Sequence, residues 1–231
     1  MKKYGKADWS IQYKAFVAII RKDSPYALDE ENFDNEFENS FRRAYEDVID
    51  QHARIRNSYY SDNGNGYLNW FFLDHFLIFC HRLAHSLFLN HMNEELMDAI
   101  YYSSRLRTSA DVFYRAAIGK YFLPAHPVGA VVDSRSTYGI GLRLYNGVHI
   151  GPYGIDGKPP SEWVHPTFGD GVIIYAKSSI YGKTVVGNNV TISPGTIIVN
   201  ETIPDNCIVF GASPDLKAVP NKQNNLGIFD I

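Results

Sequence analysis

The chain has 231 residues, of which 45% are hydrophobic and 20% charged, and a formal net charge of −3. That length fits one large domain or two small ones with an ample core, and the charge supplies no basic field to hold nucleic acid or an anionic membrane. Cys80 and Cys207 lie far apart and outside any Cys-x-x-Cys spacing, which argues against a disulfide framework or zinc knuckle and for a reducing, cytoplasmic compartment.

The start, Met1-Lys2-Lys3-Tyr4-Gly5, is basic, but no apolar run follows it, so no secretory signal is read there. Ile11, Ala15, Phe16, Ile19 and Ile20 recur at helical spacing and predict a helix over 9–22, capped by Ser10 and ended by Asp23-Ser24-Pro25. The stripe Phe33, Phe37, Phe41, Tyr45, Val48, His52 and Ile55 predicts a long helix over 28–55. Residues 61–66 read as a loop, and 68–88 as an apolar helix. Asp74, His75, His81, Arg82 and His85 interrupt that helix and exclude a membrane span. His81 and His85 share one helix face, but no Glu stands beside them as in His-Glu-x-x-His, so they read as a structural pair and no metal site is expected. Thr108-Ser109-Ala110-Asp111 reads as a capping box opening a further helix toward Lys120, before Pro124 and Pro127 stop helical structure.

The second half is organised differently. Phe168, Ile174, Ile180, Val186, Ile192 and Ile198 fall six apart, each from Ile174 onward preceded two residues earlier by a small or β-branched residue, with Gly, Asn and Pro between. Neither a helix nor an ordinary strand keeps a period of six, whereas a parallel β-helix does. Val132, Leu144 and Ile150 extend the count backwards. The stretch 151–167, rich in Pro and Gly (Pro152, Gly154, Asp156, Gly157, Lys158, Pro159, Pro160 and Pro166), breaks it and predicts a protruding functional loop. The expected class is α+β: a helical domain over 1–123, a β-helix over 124–219 and a tail over 220–231.

Three passages resemble the serine acetyltransferases, a branch of the hexapeptide-repeat acyltransferases: His81-Arg82-Leu83-Ala84-His85; His165-Pro166 followed by Gly171-Val172-Ile173-Ile174; and Pro194-Gly195-Thr196 through Phe210-Gly211-Ala212-Ser213-Pro214. The resemblance covers about residues 70 to 219. It implies a left-handed β-helix in a homotrimer or dimer of trimers, active sites between neighbouring prisms, and acetyl-CoA as the acyl donor. It also implies CoA contacts near Ala176 and Pro194, with Lys177 and Lys217 as phosphate partners. The carboxyl-terminal Ile231 resembles the residue with which that family docks into a partner enzyme. Two motifs depart from the family. Its Asp-His-x-x-Gly falls on Asp133-Ser134-Arg135-Ser136-Thr137-Tyr138-Gly139, with a serine at the base position. Its Asp-x-His-Pro falls on Pro124-Ala125-His126-Pro127, without the carboxylate. Val164 also replaces the Arg before His165.

Acyl transfer to a hydroxyl needs a base, and histidine suits neutral pH. His165, at the exit of the loop, is the first candidate and His149, facing outward before Ile150, the second. Asp133 is a candidate to bind the acceptor or to orient a histidine across the interface, and His126 reads as structural. The expected function is an acetyl-CoA-dependent O-acetyltransferase acting on a sugar or surface polysaccharide hydroxyl. Serine O-acetylation and a non-catalytic scaffold are the alternatives.

Overall fold

The computed structural model describes residues 8–153, 157 and 159–231. Met1–Gly5 at the start, and Gly154, Asp156 and Lys158 of the expected loop, lie outside the described residues. The chain forms two compact units that divide after Ser109.

The first unit is built on four α-helices, α1 (Trp9–Asp23), α2 (Asn35–Ala53), α3 (Leu73–Leu89) and α4 (Glu94–Thr108). α1 lies where its apolar spacing predicts, although Asp8 rather than Ser10 caps it, accepting from the Ser10 amide at 3.0 Å. The long helix expected over 28–55 is shorter. A 3-10 turn occupies Glu30–Phe33, and the extended Asp34 then caps α2 by accepting from the Phe37 amide at 2.8 Å. Periodicity ran through Phe33 because its ring is buried with the helix's own stripe, meeting Phe37 edge-on at 5.2 Å. The expected loop at 61–66 is a two-stranded hairpin turning at Asn63-Gly64, both at positive φ. α4 carries no clear stripe in sequence. It is recognisable from its ends: Asn93 caps the first turn, and Arg105 and Arg107 sit in the last. Phe16, Phe41 and Phe79 fill the core with mutual centroid distances of 4.9–5.5 Å.

The second unit is a parallel β-solenoid of about five turns, left-handed as in serine acetyltransferases. Its short strands stack into three faces. The first face holds Asp111–Val112, Val131–Val132, His149–Gly151, Ser179–Tyr181 and Ile197–Val199. The second runs from Ala117–Ile118 to Thr202–Ile203 and the third from Leu123–Pro124 to Cys207–Phe210, extended by the antiparallel Lys217–Pro220. Each residue of the count of six points inward: Leu144, Ile150, Ile174, Ile180, Ile192 and Ile198 are fully buried, as are the small partners Val172, Ser178 and Val190. Burying each large aliphatic contributes about 1.5–3 kcal/mol, so the ladder is the main source of the solenoid's stability.

The helix expected from Thr108 toward Lys120 does not form, and the solenoid begins at Asp111 rather than at residue 124. Val112, Ile118 and Pro124 are the inward residues of a first coil, six apart among themselves. Eight residues, not six, separate Pro124 from Val132, so the first coil is out of phase with the rest and the count misses it. Strand partners are 18 residues apart between Thr167 and Val185 but 30 apart between Thr137 and Thr167, a difference of 12. That difference is the length inserted between Gly151 and Thr167, where the loop was expected.

The solenoid's corners are stitched by side chains. Asp170 Oδ1 accepts from the Ile140 amide, Asn188 Oδ1 from the Asp170 amide, and Asp205 Oδ1 from the Asn188 amide, at 2.7–2.8 Å. Asn225 and Phe229 of the tail also pack on the solenoid. Asn225 is buried on the third face and donates to the carbonyls of Gly171 and Val190, and Phe229 packs on Tyr121 at 5.2 Å.

Candidate active site

Two edges of the prism carry the candidate residues. The first edge joins the first face to the second. Val132 pairs with Ile150, and Thr137 with Thr167. The turn that follows Val132 is therefore stacked against the point where the inserted chain returns, and Asp133 meets His165 within one chain. His165 Nδ1 is bonded to Asp133 Oδ2. The other carboxylate oxygen accepts from the Ser136 amide at 3.1 Å and from the Ser136 hydroxyl. A carboxylate only accepts, so Nδ1 carries a proton, and in the neutral ring Nε2 keeps its lone pair. That Nε2 is buried and has no hydrogen-bond partner among the described residues. Tyr138, the inward residue of the same turn, stacks on Phe168 at 4.7 Å beneath the pair.

His149 lies elsewhere. It faces outward on the first face, and its Nδ1 is 3.0 Å from the hydroxyl of Tyr181 on the next coil. Its imidazole is bonded to Tyr181 and not to the Asp133 carboxylate, so of the three expected catalytic residues two are joined through their side chains and His149 is held separately.

The second edge joins the third face to the first. Its corners stack in a column: Gly147 N donates to Val128 O, Lys177 N to Asn146 O and Gly195 N to Ala176 O, at 2.9–3.0 Å. Ala176, Lys177 and Pro194 thus share one edge, Lys177 and Pro194 with exposed side chains. Lys217 stands apart on the terminal antiparallel strand, paired with Phe210.

The top of this column is His126, which reads as structural in the sequence. His126 sits in the turn leading to Gly129, exposed and at a φ of 50°. Ala125-His126-Pro127-Val128-Gly129 keeps both the His and the Gly of the resemblance's Asp-His-x-x-Gly, whereas Asp133–Gly139 keeps no His. Asp111 is registered on the residue just after this turn: its amide donates to Ala130 O at 2.7 Å, and it is half-buried on the first strand. The signal was the pattern His-x-x-Gly itself. It was hidden because the phase slip before Val132 placed this coil outside the repeat.

Among the described residues no group of three or more His, Cys, Asp or Glu is arranged to hold a metal ion, and no helix is long and apolar enough to cross a membrane.

No protein-family model matches the chain. It is 30% identical over 135 residues to a serine acetyltransferase of Staphylococcus aureus, covering 58% of this chain and 60% of that protein. It is 28% identical over 132 residues to a serine acetyltransferase of Synechococcus elongatus, covering 57% and 52%. The chain thus spans little more than half the length of the curated relatives it matches. A solved serine acetyltransferase in complex with CoA superimposes with a TM-score of 0.63 over 87% of this chain and 82% of that one, at 20% identity, a likeness of fold. By its sequence, its repeat and its solenoid, the chain is a serine acetyltransferase-like hexapeptide-repeat protein.

Proposed function

We propose that the protein is an acetyl-CoA-dependent O-acetyltransferase, working as a trimer, with L-serine as its first acceptor. The observation that carries this reading is the shared edge: an exposed histidine in a His-x-x-Gly turn stands in one column with Ala176, Lys177 and Pro194. The resemblance gives those three positions to CoA. A base must lie beside the thioester to take the hydroxyl proton as the carbonyl is attacked. His126 meets that need, with Asp111 next to its turn. His165 is the competing base. It has an orienting carboxylate in Asp133, but its free nitrogen is buried. Serine is placed first because the relatives are serine acetyltransferases, which turns the expectation of a sugar acceptor into the second reading.

One observation favours that second reading. Val164 replaces the Arg that precedes the loop-exit histidine in the family, and its side chain is 47% exposed. An apolar residue there offers no guanidinium to a carboxylate, and a neutral sugar hydroxyl needs none. The test is release of free CoA from acetyl-CoA with L-serine and, separately, with a panel of sugars and glycans. Turnover with serine supports the first reading, and turnover with sugars alone supports the second. No turnover with any acceptor, together with no CoA binding, leaves the scaffold. Removing a general base costs about 10² to 10⁴ in rate. His126→Ala should lose at least the lower figure and keep CoA binding. If His165→Ala loses that much and His126→Ala stays within a few-fold, the assignment of the base is reversed.

A further inference from the structure

We infer that Asp133 is a positioning residue that sets the tautomer and orientation of His165, so that His165 Nε2 receives a hydrogen bond from an O–H or N–H donor of the acceptor molecule. The inference rests on the acetyltransferase reading for the identity of that donor, but not for the geometry. Three observations carry it. The Asp133 carboxylate is itself fixed: Oδ1 is held by the Ser136 amide and hydroxyl, so only Oδ2 is left to take the imidazole. The pair is enclosed, with side-chain exposures of 11% for His165 and 14% for Asp133, so the hydrogen bond is shielded from water. Finally, Nε2 is covered and has no hydrogen-bond partner among the described residues. A buried acceptor left unpaired is unfavourable unless something supplies a donor. The side chain stands where the inserted loop rejoins the prism, two residues before the strand Thr167–Phe168.

This differs from a role in holding the loop. A structural clamp needs only the bond between the two side chains. A positioned acceptor needs Nδ1 to carry the proton and Nε2 to be bare. An oxygen acceptor at residue 133 fixes that arrangement, and a chain with none there leaves the ring free to turn and to exchange tautomers.

The test uses the full chain with ¹⁵N-labelled histidine, His165→Gln identifying the His165 signals. Nitrogen shifts in the wild type should show the Nδ1–H tautomer, and Asp133→Ala should show a mixture. The Nε2–H tautomer in the wild type overturns the inference, as does an unchanged ring in Asp133→Ala. Kinetics with L-serine and acetyl-CoA form the second arm. Asp133→Ala should raise the KM for serine about tenfold, the equivalent of one lost hydrogen bond, and by more than it changes the KM for acetyl-CoA. Asp133→Asn, which keeps an oxygen, should recover part of that rise. Equal changes in both KM values, with no recovery by Asn, mark a clamp and overturn the inference. If the wild type turns over no acceptor, the acetyltransferase reading has failed, and the nitrogen shifts still decide the geometry.

Discussion

Acidification should loosen the helical unit well before ordinary acid unfolding. His52 on α2 and His75 on α3 are fully buried, with ring centroids 4.5 Å apart. His52 Nδ1 donates to the Tyr67 carbonyl at 2.8 Å, and His75 Nδ1 accepts from the Asn69 amide at 3.2 Å. The Nε2 atoms of both rings are buried without a hydrogen-bond partner among the described residues. The groups packed around them are Tyr59, Tyr60 and Tyr67, and the nearby Asp74 already accepts from the hydroxyls of Tyr59 and Tyr60. Burial lowers His52 from 6.5 to about 4, and burial with the neighbouring His52 lowers His75 to about 2. Both folded values lie below the unfolded value, so the unfolded chain binds more protons and stability falls as pH drops through 6.5. At about pH 5 each ring costs about 2 kcal/mol by linkage, and the two together about 4. That is a large share of a stability of about 5–15 kcal/mol. Burial raises Asp74, which acts in the opposite direction, but only near and below its own folded value. The assay is urea unfolding followed by far-UV circular dichroism at neutral pH and at about pH 5, in the wild type and in His52→Gln. Gln keeps a donor for the Tyr67 carbonyl and does not titrate, so it should remove about half of the acid sensitivity. An equal acid loss in both proteins, or none in the wild type, refutes the reasoning.

Ile174 is fully buried between Leu144 and Ile192 in the third-face ladder, so Ile174→Ala should cost about 2–5 kcal/mol in denaturant unfolding. Gly139→Ala should destabilise by at least as much as a typical overpacked core, about 1–3 kcal/mol. Its added carbon would sit 2.1 Å from Asp170 Oδ1 and 2.7 Å from the Gly169 carbonyl carbon, and only the side chain can move away. CoA at a hundredfold excess over its Kd should stabilise the folded chain by ~2.7 kcal/mol and raise the Tm. An unchanged Tm at millimolar CoA would count against every acetyltransferase reading. Light scattering should show a trimer or a multiple of it, and a monomer at micromolar concentration would remove the site between prisms.

The solenoid was legible because its physics is repetitive. One inward aliphatic per six residues leaves a mark that survives in sequence, and every such residue from Leu144 to Ile198 is buried. What was not legible lies where the repeat changes step. Between Pro124 and Val132 the chain adds two residues at the very corner that holds His126. A count of six started at Phe168 therefore loses the first coil, and with it the one His-x-x-Gly of the solenoid. The capping-box pattern Thr108–Asp111 predicts a helix start, but strand pairing of Asp111 with Val131 overrides that local chemistry. The opposite holds for Asp133 and His165. They are 32 residues apart, and no local pattern joins them; only the stacking of successive coils and the known place of the insertion bring them face to face. From sequence Asp133 reads either as an acceptor-binding residue or as one that orients a histidine across the interface. Once the return strand at Thr167 is registered on Thr137, the contact within one chain follows. The residues most worth testing thus lie at the two interruptions of the repeat. The backbone there is free to leave the prism, and side chains there are not committed to the core.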